Sequence, residues 1–164
     1  MAVYALSLAS LGAFPGQLEQ LYACIPDTHA NWAPASWEGI PSETFTAVEQ
    51  ICHIRDIELD GYHVRLRRLL AEDNPSLVSI DSYQVAKERR YPDAPTEEVF
   101  AAFRSARAET VRMLAALADS QWSRSGVFEG YGPVTVKGLV HFLCSHDQQH
   151  LAGLHWLLGQ IESQ

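Results

Sequence analysis

The stretch Thr135-Val-Lys-Gly-Leu139-Val-His-Phe-Leu143-Cys-Ser-His146-Asp-Gln-Gln-His150-Leu-Ala-Gly-Leu154-His-Trp-Leu157-Leu-Gly-Gln160 decides what this chain builds. Val136, Leu139, Leu143, His146, His150, Leu157 and Gln160 recur by threes and fours, the spacing of one face of an α-helix. Thr135 stands where a cap is needed, because its hydroxyl can accept a bond from an amide of the first turn. Two histidines therefore occupy positions that the pattern otherwise fills with apolar side chains. Four residues apart, their imidazoles leave the helix on the same side, one turn from each other, close enough to hold a single ion. At about 100° per residue, His141 and His155 fall far round the helix and read as surface or interface residues.

Outward from this helix, proline and glycine divide the chain into four helical stretches joined by longer connections. The first runs from about Val3 to Ile25, and Gly12, Pro15 and Gly16 inside it predict a kink or a break into two short helices. A second starts near Ser42 or Thr46, where Thr46-Ala-Val-Glu49 has capping-box spacing, and continues to about Ala71. The third is capped by Thr96, carries Glu97 and Glu98 in its first turn where the helix dipole favours them, and ends near Asp119. Residues 26–41 read as a long connection packed over one end of the bundle. Residues 72–95 form another, with a short helical turn at Tyr83-Gln-Val-Ala-Lys87, and residues 120–133 are a loop. The expected architecture is an all-α four-helix bundle with long connections, a single domain over residues 1–164.

Composition agrees. A chain of 164 residues, 47% hydrophobic and 20% charged, can bury its own core. A net charge of -8, from 20 acidic and 12 basic residues, argues against nucleic acid as a partner, since that affinity comes from cationic contacts to phosphates. The apolar stretch Met1 to Gly12 lacks a basic leader and is too short to span a bilayer, so it reads as a core helix and no membrane partner is expected. Cys24, Cys52 and Cys144 are odd in number and lack metal-knuckle spacing. They point to core packing in a reducing cytoplasm rather than to disulfides or a thiolate zinc site.

For a third ligand the second helix offers His53 and His63, and periodicity leaves both open, because neither sits centrally on that helix's apolar stripe. His53 has Glu49, Asp56, Ile57 and Asp60 at helical spacing, a set that supplies carboxylate partners for a ligand imidazole or else an exposed polar face. His29 lies in a loop with no spacing argument behind it.

Several segments carry a family likeness: Trp32-Ala-Pro leading to Trp37-Glu-Gly-Ile-Pro-Ser-Glu43, Ile51-Cys-His53-Ile-Arg-Asp-Ile-Glu58, Ala101-Ala-Phe-Arg104-Ser-Ala-Arg107, and Gly132 through Leu151. With these the chain resembles the DinB/YfiT-like family of metalloenzymes over nearly its whole length. In that family a histidine of the second helix joins the two of the fourth, which maps onto His53, His146 and His150. The sequence departs from many relatives at Leu154, where they carry glutamine. The resemblance implies three imidazoles around a divalent ion, a set that suits zinc or nickel and not magnesium or calcium, with a coordination position left for a ligand.

Characterised relatives include bacillithiol S-transferases and mycothiol-dependent isomerases, so the expected activity is metal-dependent transfer of a low-molecular-weight thiol to an electrophile. A metal-dependent hydrolase is the alternative. A non-enzymatic metal-binding or dimerisation module is a further one, and a homodimer is expected. Asp147, Asp56 and Glu49 are candidates for orienting ligand imidazoles or accepting a proton. Arg104 and Arg107 would anchor an anionic group of a thiol cofactor if they face the pocket, and Trp32, Trp37 and Trp122 would line its entrance. His146-Asp147-Gln-Gln-His150 also resembles the zincin pattern His-Glu-x-x-His, with aspartate in place of the glutamate that serves as base.

Overall fold

Four long rods dominate the computed structural model, which describes residues 2–163. Helix α1 spans Ala2–Tyr22. The second rod is continuous but not uniform: α2 (Ala47–Asp56) passes into a π-helical stretch, Ile57–Tyr62, and then into α3 (His63–Ala71). A two-residue strand β1 (Ser76–Leu77) and a short helix α4 (Ser82–Glu88) follow. The third rod is α5 (Thr96–Ala115) and the fourth is α6 (Val136–Glu162), with strands β2 (Ser125–Phe128) and β3 (Gly132–Thr135) between them. Helix α1 packs on α5 and α6, and α2 packs on the same two.

The ends of these elements follow local chemistry. Thr46 closes a reciprocal capping box, its hydroxyl accepting from the Glu49 amide while the Glu49 carboxylate accepts from the Thr46 amide at 2.8 Å. Thr135 accepts from the Gly138 amide at 3.1 Å and starts α6. Asp81 caps α4, the element anticipated as a turn at 83–87.

Three expectations are corrected. Thr96 does not cap α5: it is already helical, and the preceding residue, Pro95, has extended backbone and makes no side-chain cap bond. Helix α5 stops at Ala115 rather than near Asp119, because the chain turns into a 3-10 segment, Asp119–Ser123, held by Gln121 accepting from the Ala118 amide. Part of residues 120–133 is a β-hairpin, not a loop. β2 pairs antiparallel to β3 with Ser125 opposite Thr135 and Phe128 opposite Gly132, and β1 adds in parallel on the other side of β2. Gly130 and Gly132 both take φ of +81°, which only glycine adopts freely, and this lets the hairpin reverse.

Pro15 lies inside α1 without ending it. A proline has no amide proton, so the carbonyl four residues earlier, that of Leu11, loses its helical partner. Arg107 of α5 takes that place, donating from Nη1 to the Leu11 oxygen at 3.3 Å. The same guanidinium donates to both oxygens of Glu58 (3.0 and 2.9 Å) in the π-helical stretch and to both oxygens of Asp147 (2.6 and 2.9 Å) in α6. One side chain, 1% exposed, thus ties all four rods.

This polar layer divides the core. Phe14, Ile54, Phe103 and Leu154 belong to one apolar cluster, and Leu11, Ile57, Leu114 and Leu143 belong to the other. On each rod the change of cluster falls at the level where the polar side chains enter. Replacing Arg107 by methionine would strand two buried carboxylates, and the expected cost is about 3–5 kcal/mol. Urea unfolding would read it as a lowered midpoint at unchanged slope. A loss below about 1 kcal/mol would show that Glu58 and Asp147 neutralise each other's need by protonation.

Candidate metal centre

His53 reaches the centre of the bundle from α2, and His146 and His150 reach it from α6. The Nε2 atoms of His53 and His146 are 3.1 Å apart, as are those of His146 and His150. Glu43, in the connection just before α2, adds a carboxylate: one oxygen lies 3.7 Å from His53 Nε2 and the other 3.4 Å from His150 Nε2. One donor atom from each of the four side chains falls within 4.8 Å of the others.

The protonation state suits metal binding. Burial pushes the His53 pKa down to about 4 against the opposing pull of Asp56. Burial, with the neighbouring imidazoles, drives His146 and His150 well below the ordinary histidine value. All three rings are therefore neutral near pH 7, the form that ligates.

Gln50 sets the tautomer of His150. Its Nε2 donates to Ser42 Oγ at 2.7 Å and toward the Phe45 carbonyl at 3.4 Å, so its Oε1 faces His150 Nδ1 and accepts the ring proton. His150 Nε2 then presents a lone pair to the centre. Gly153, one turn further along α6, leaves the space that Ser42 and Gln50 fill, since a Cβ there would collide with Ser42 and sit 3.0 Å from Gln50 Nε2.

The residues fit an ion. His146 Nδ1 and Glu43 Oε2 are buried without hydrogen-bond partners, and three neutral imidazoles converge with a carboxylate on one point. A divalent cation satisfies the three nitrogens, which match late first-row metals, and the Glu43 carboxylate stands beside it.

The choice left open between His53 and His63 falls to His53. His63 is buried elsewhere, its Nε2 bonded to Thr110 Oγ1 at 2.9 Å and to the Ala106 carbonyl at 3.0 Å. His141 and His155 are exposed, and His29 sits beside Trp32.

None of the three carboxylates anticipated for proton transfer is at the histidine cluster. Asp147 faces Arg107, so the zincin-like reading loses its base. Asp56 accepts from Arg55, Arg89 and Tyr91, and Glu49 completes the cap of α2. Neither arginine anticipated for an anionic cofactor faces the cluster either: Arg107 is occupied by its two carboxylates, and Arg104 pairs with Glu19 at the surface. Trp37 stacks on Trp156, and Trp122 stacks on Tyr4. Glu43 was the residue missed. It ends the segment Trp37-Glu-Gly-Ile-Pro-Ser-Glu43, but a loop carboxylate has no periodicity to reveal its direction.

A cavity of about 200 Å³ opens beside the cluster, with Glu43 and His146 in its wall. Tyr62, Arg65, Phe128 and Tyr131 are among the other residues that line it. No cysteine reaches the cluster, and burial pushes the Cys52 thiol up to about 12, leaving it unreactive.

Fold and site define a four-helix-bundle protein with three histidines placed for a divalent ion and a carboxylate beside them. The family model described as the DinB superfamily matches residues 11–154, and the chain belongs to that family. Among solved structures it is similar to YfiT from Bacillus subtilis, described as a probable metal-dependent hydrolase with an unusual four-helix bundle topology. The likeness has a TM-score of 0.82 at 16% sequence identity and covers 95% of this chain and 86% of the other. No curated protein matches the sequence.

Two outcomes are expected. Elemental analysis of untagged protein should find about one divalent ion per chain, lost in His146→Ala and His53→Ala and weakened roughly tenfold or more in Gln50→Leu, which removes the partner of His150. Retention of full metal in His53→Ala would refute the site. Burial raises the Asp56 carboxyl, but Arg55, Tyr91 and Arg89 outweigh it and hold it below its ordinary value. Its contribution is present above the unfolded carboxylate pKa and is lost as pH falls through the folded one. The acid limb of the stability curve should therefore flatten in Asp56→Asn, and an unchanged limb would remove Asp56 from that role.

Proposed function

We propose that this protein catalyses transfer of a small thiol to an electrophile, with zinc or nickel held by His53, His146 and His150 and Glu43 as proton acceptor. The observation that carries the reading is the one-sided opening of the donor set. The imidazoles of His53 and His150 are sealed in the core, while His146 and Glu43 face the cavity. A reactant entering there meets the donor set from that side.

A divalent ion in this set would lower the pKa of a thiol or water brought to it toward neutrality. Among the described residues no cysteine joins the cluster, and the reading takes the attacking atom from a bound molecule. Glu43 takes the proton from the sulfur, the sulfur forms its bond to the electrophilic carbon, and the leaving group departs with the displaced electron pair. The core holds His53 and His150, and Gln50 fixes the His150 ring, so those two imidazoles are in place before reactants arrive.

Hydrolysis is the second reading, supported by the description of the YfiT structure and by the same Glu43, which can take a proton from water as readily as from a thiol. A homodimer in the cytoplasm, where free thiols persist, belongs to the first reading.

The deciding experiment is turnover of the metal-loaded protein with an electrophile, in the presence and absence of a small thiol. Thiol-dependent, saturable turnover is expected, falling about 10²–10⁴-fold in Glu43→Gln while metal content holds. Product formation without thiol would favour hydrolysis. Full activity in Glu43→Gln would remove it as the base.

A further inference from the structure

Two arginines are buried in this bundle, and they differ in one respect. Arg107 meets two carboxylates, whereas Arg65, 5% exposed, makes no ion pair among the described residues. Its Nε and Nη2 donate to a single neutral acceptor, the Val78 carbonyl, at 3.2 and 3.0 Å. The guanidinium lies over the Phe128 ring at 4.5 Å and near the Tyr62 ring at 5.6 Å. These contacts offset part of the cost of burying a cation but do not neutralise it. Burial accordingly lowers the Arg65 pKa; for Arg107 the carboxylates outweigh burial and raise it.

Arg65 forms a wall of the same cavity that exposes His146 and Glu43. Tyr62 spans the two ends, its ring 5.6 Å from the guanidinium carbon and 6.3 Å from the His146 ring. Gly61 makes the placement possible. A Cβ there would stand 2.8 Å from Arg65 Nη1 and 3.4 Å from its central carbon, so any other residue pushes the fork out of its seat. The cavity thus has a cationic end at Arg65, an acidic end at Glu43 beside the ligand His146, and aromatic sides.

We infer that Arg65 is a binding residue for an oxyanion group, carboxylate or phosphate, carried by a small substrate whose reacting end lies at the histidine cluster. This rests on the reading of that cluster as the reactive centre and narrows its substrates to anions. Nη1 donates to no acceptor among the described residues, and Arg65 lines the cavity, so the guanidinium has donors left for an oxyanion that enters there. Apolar or aromatic groups of the substrate would lie along Tyr62, Phe128 and Tyr131.

The test is calorimetric binding of benzoate, phenyl phosphate and neutral benzamide to wild type, Arg65→Gln and Gly61→Ala, each metal-loaded and metal-free. In wild type at least one anion should bind about tenfold or more tightly than benzamide, a difference of about 1.4 kcal/mol, with or without metal. The tighter anion identifies the group. Arg65→Gln should abolish the preference, and Gly61→Ala, which keeps the charge but displaces it, should weaken it. Equal affinity for anions and benzamide in metal-free wild type would overturn the inference, as would an anion preference that survives Arg65→Gln. A preference seen only with metal would also overturn it, since the anion would then be a metal ligand. Should the cluster bind no metal, the metal-free comparison still judges Arg65, so the two readings fail separately.

Discussion

The charged knot at Arg107 is the constraint on which the rest of the molecule depends. A guanidinium inside a helical bundle is costly unless its donors are matched, and here α1, the π-helical stretch and α6 each supply part of the match for Arg107. Because Arg–carboxylate pairs are planar and bidentate, they fix rotation as well as distance. Asp147 is next to His146 in sequence, so anchoring the one aims the other. Glu58 also accepts from Thr110, which in turn bonds His63, and the polar layer continues across α5 to α3.

That layer explains how a bundle can hold neutral histidines at its centre. Leucine or phenylalanine at the same level would pack well and leave no room for an ion. Ionic and imidazole groups instead demand partners, and each partner must come from a particular helix. Gln50, Ser42 and Gly153 perform this service for His150, and the result is a lone pair on its Nε2 aimed before any ligand arrives. Pre-aimed donors lower the reorganisation needed on binding.

The sequence revealed periodic features and missed directional ones. The i, i+4 histidines on α6, the Thr46 capping box and the four rods were legible because they obey the helical repeat. His53 was separated from His63 by family likeness alone; the repeat had left both open, and only packing shows His63 satisfied by Thr110 and Ala106. The hairpin at 125–135 went unseen because four-residue strands next to glycines resemble loop. Glu43 and Arg65 were missed for opposite reasons. One sits in a loop, where no pattern predicts direction. The other follows a π-helical turn, which shifts every later side chain from the face that a 3.6-residue repeat assigns. Arg107 reads from sequence as a candidate anchor for an anionic cofactor group, and nothing in its neighbours Ser105 and Ala106 announces the two distant carboxylates it meets instead.

The π-helical stretch Ile57–Tyr62 also acts as a phase shift between two halves of one rod. Upstream lies His53, and downstream lies Arg65. Such a turn carries one residue more than the α-helical turn it replaces. Losing that residue would swing the downstream half by about 100° relative to the upstream half and carry Arg65 off the cavity, while leaving His53 where it is. The rod therefore behaves like a keyed joint. The same swing would turn the buried Leu66 and Leu69 out of the core, so the direction of Arg65 into the cavity and the packing of the downstream half are fixed by one and the same register.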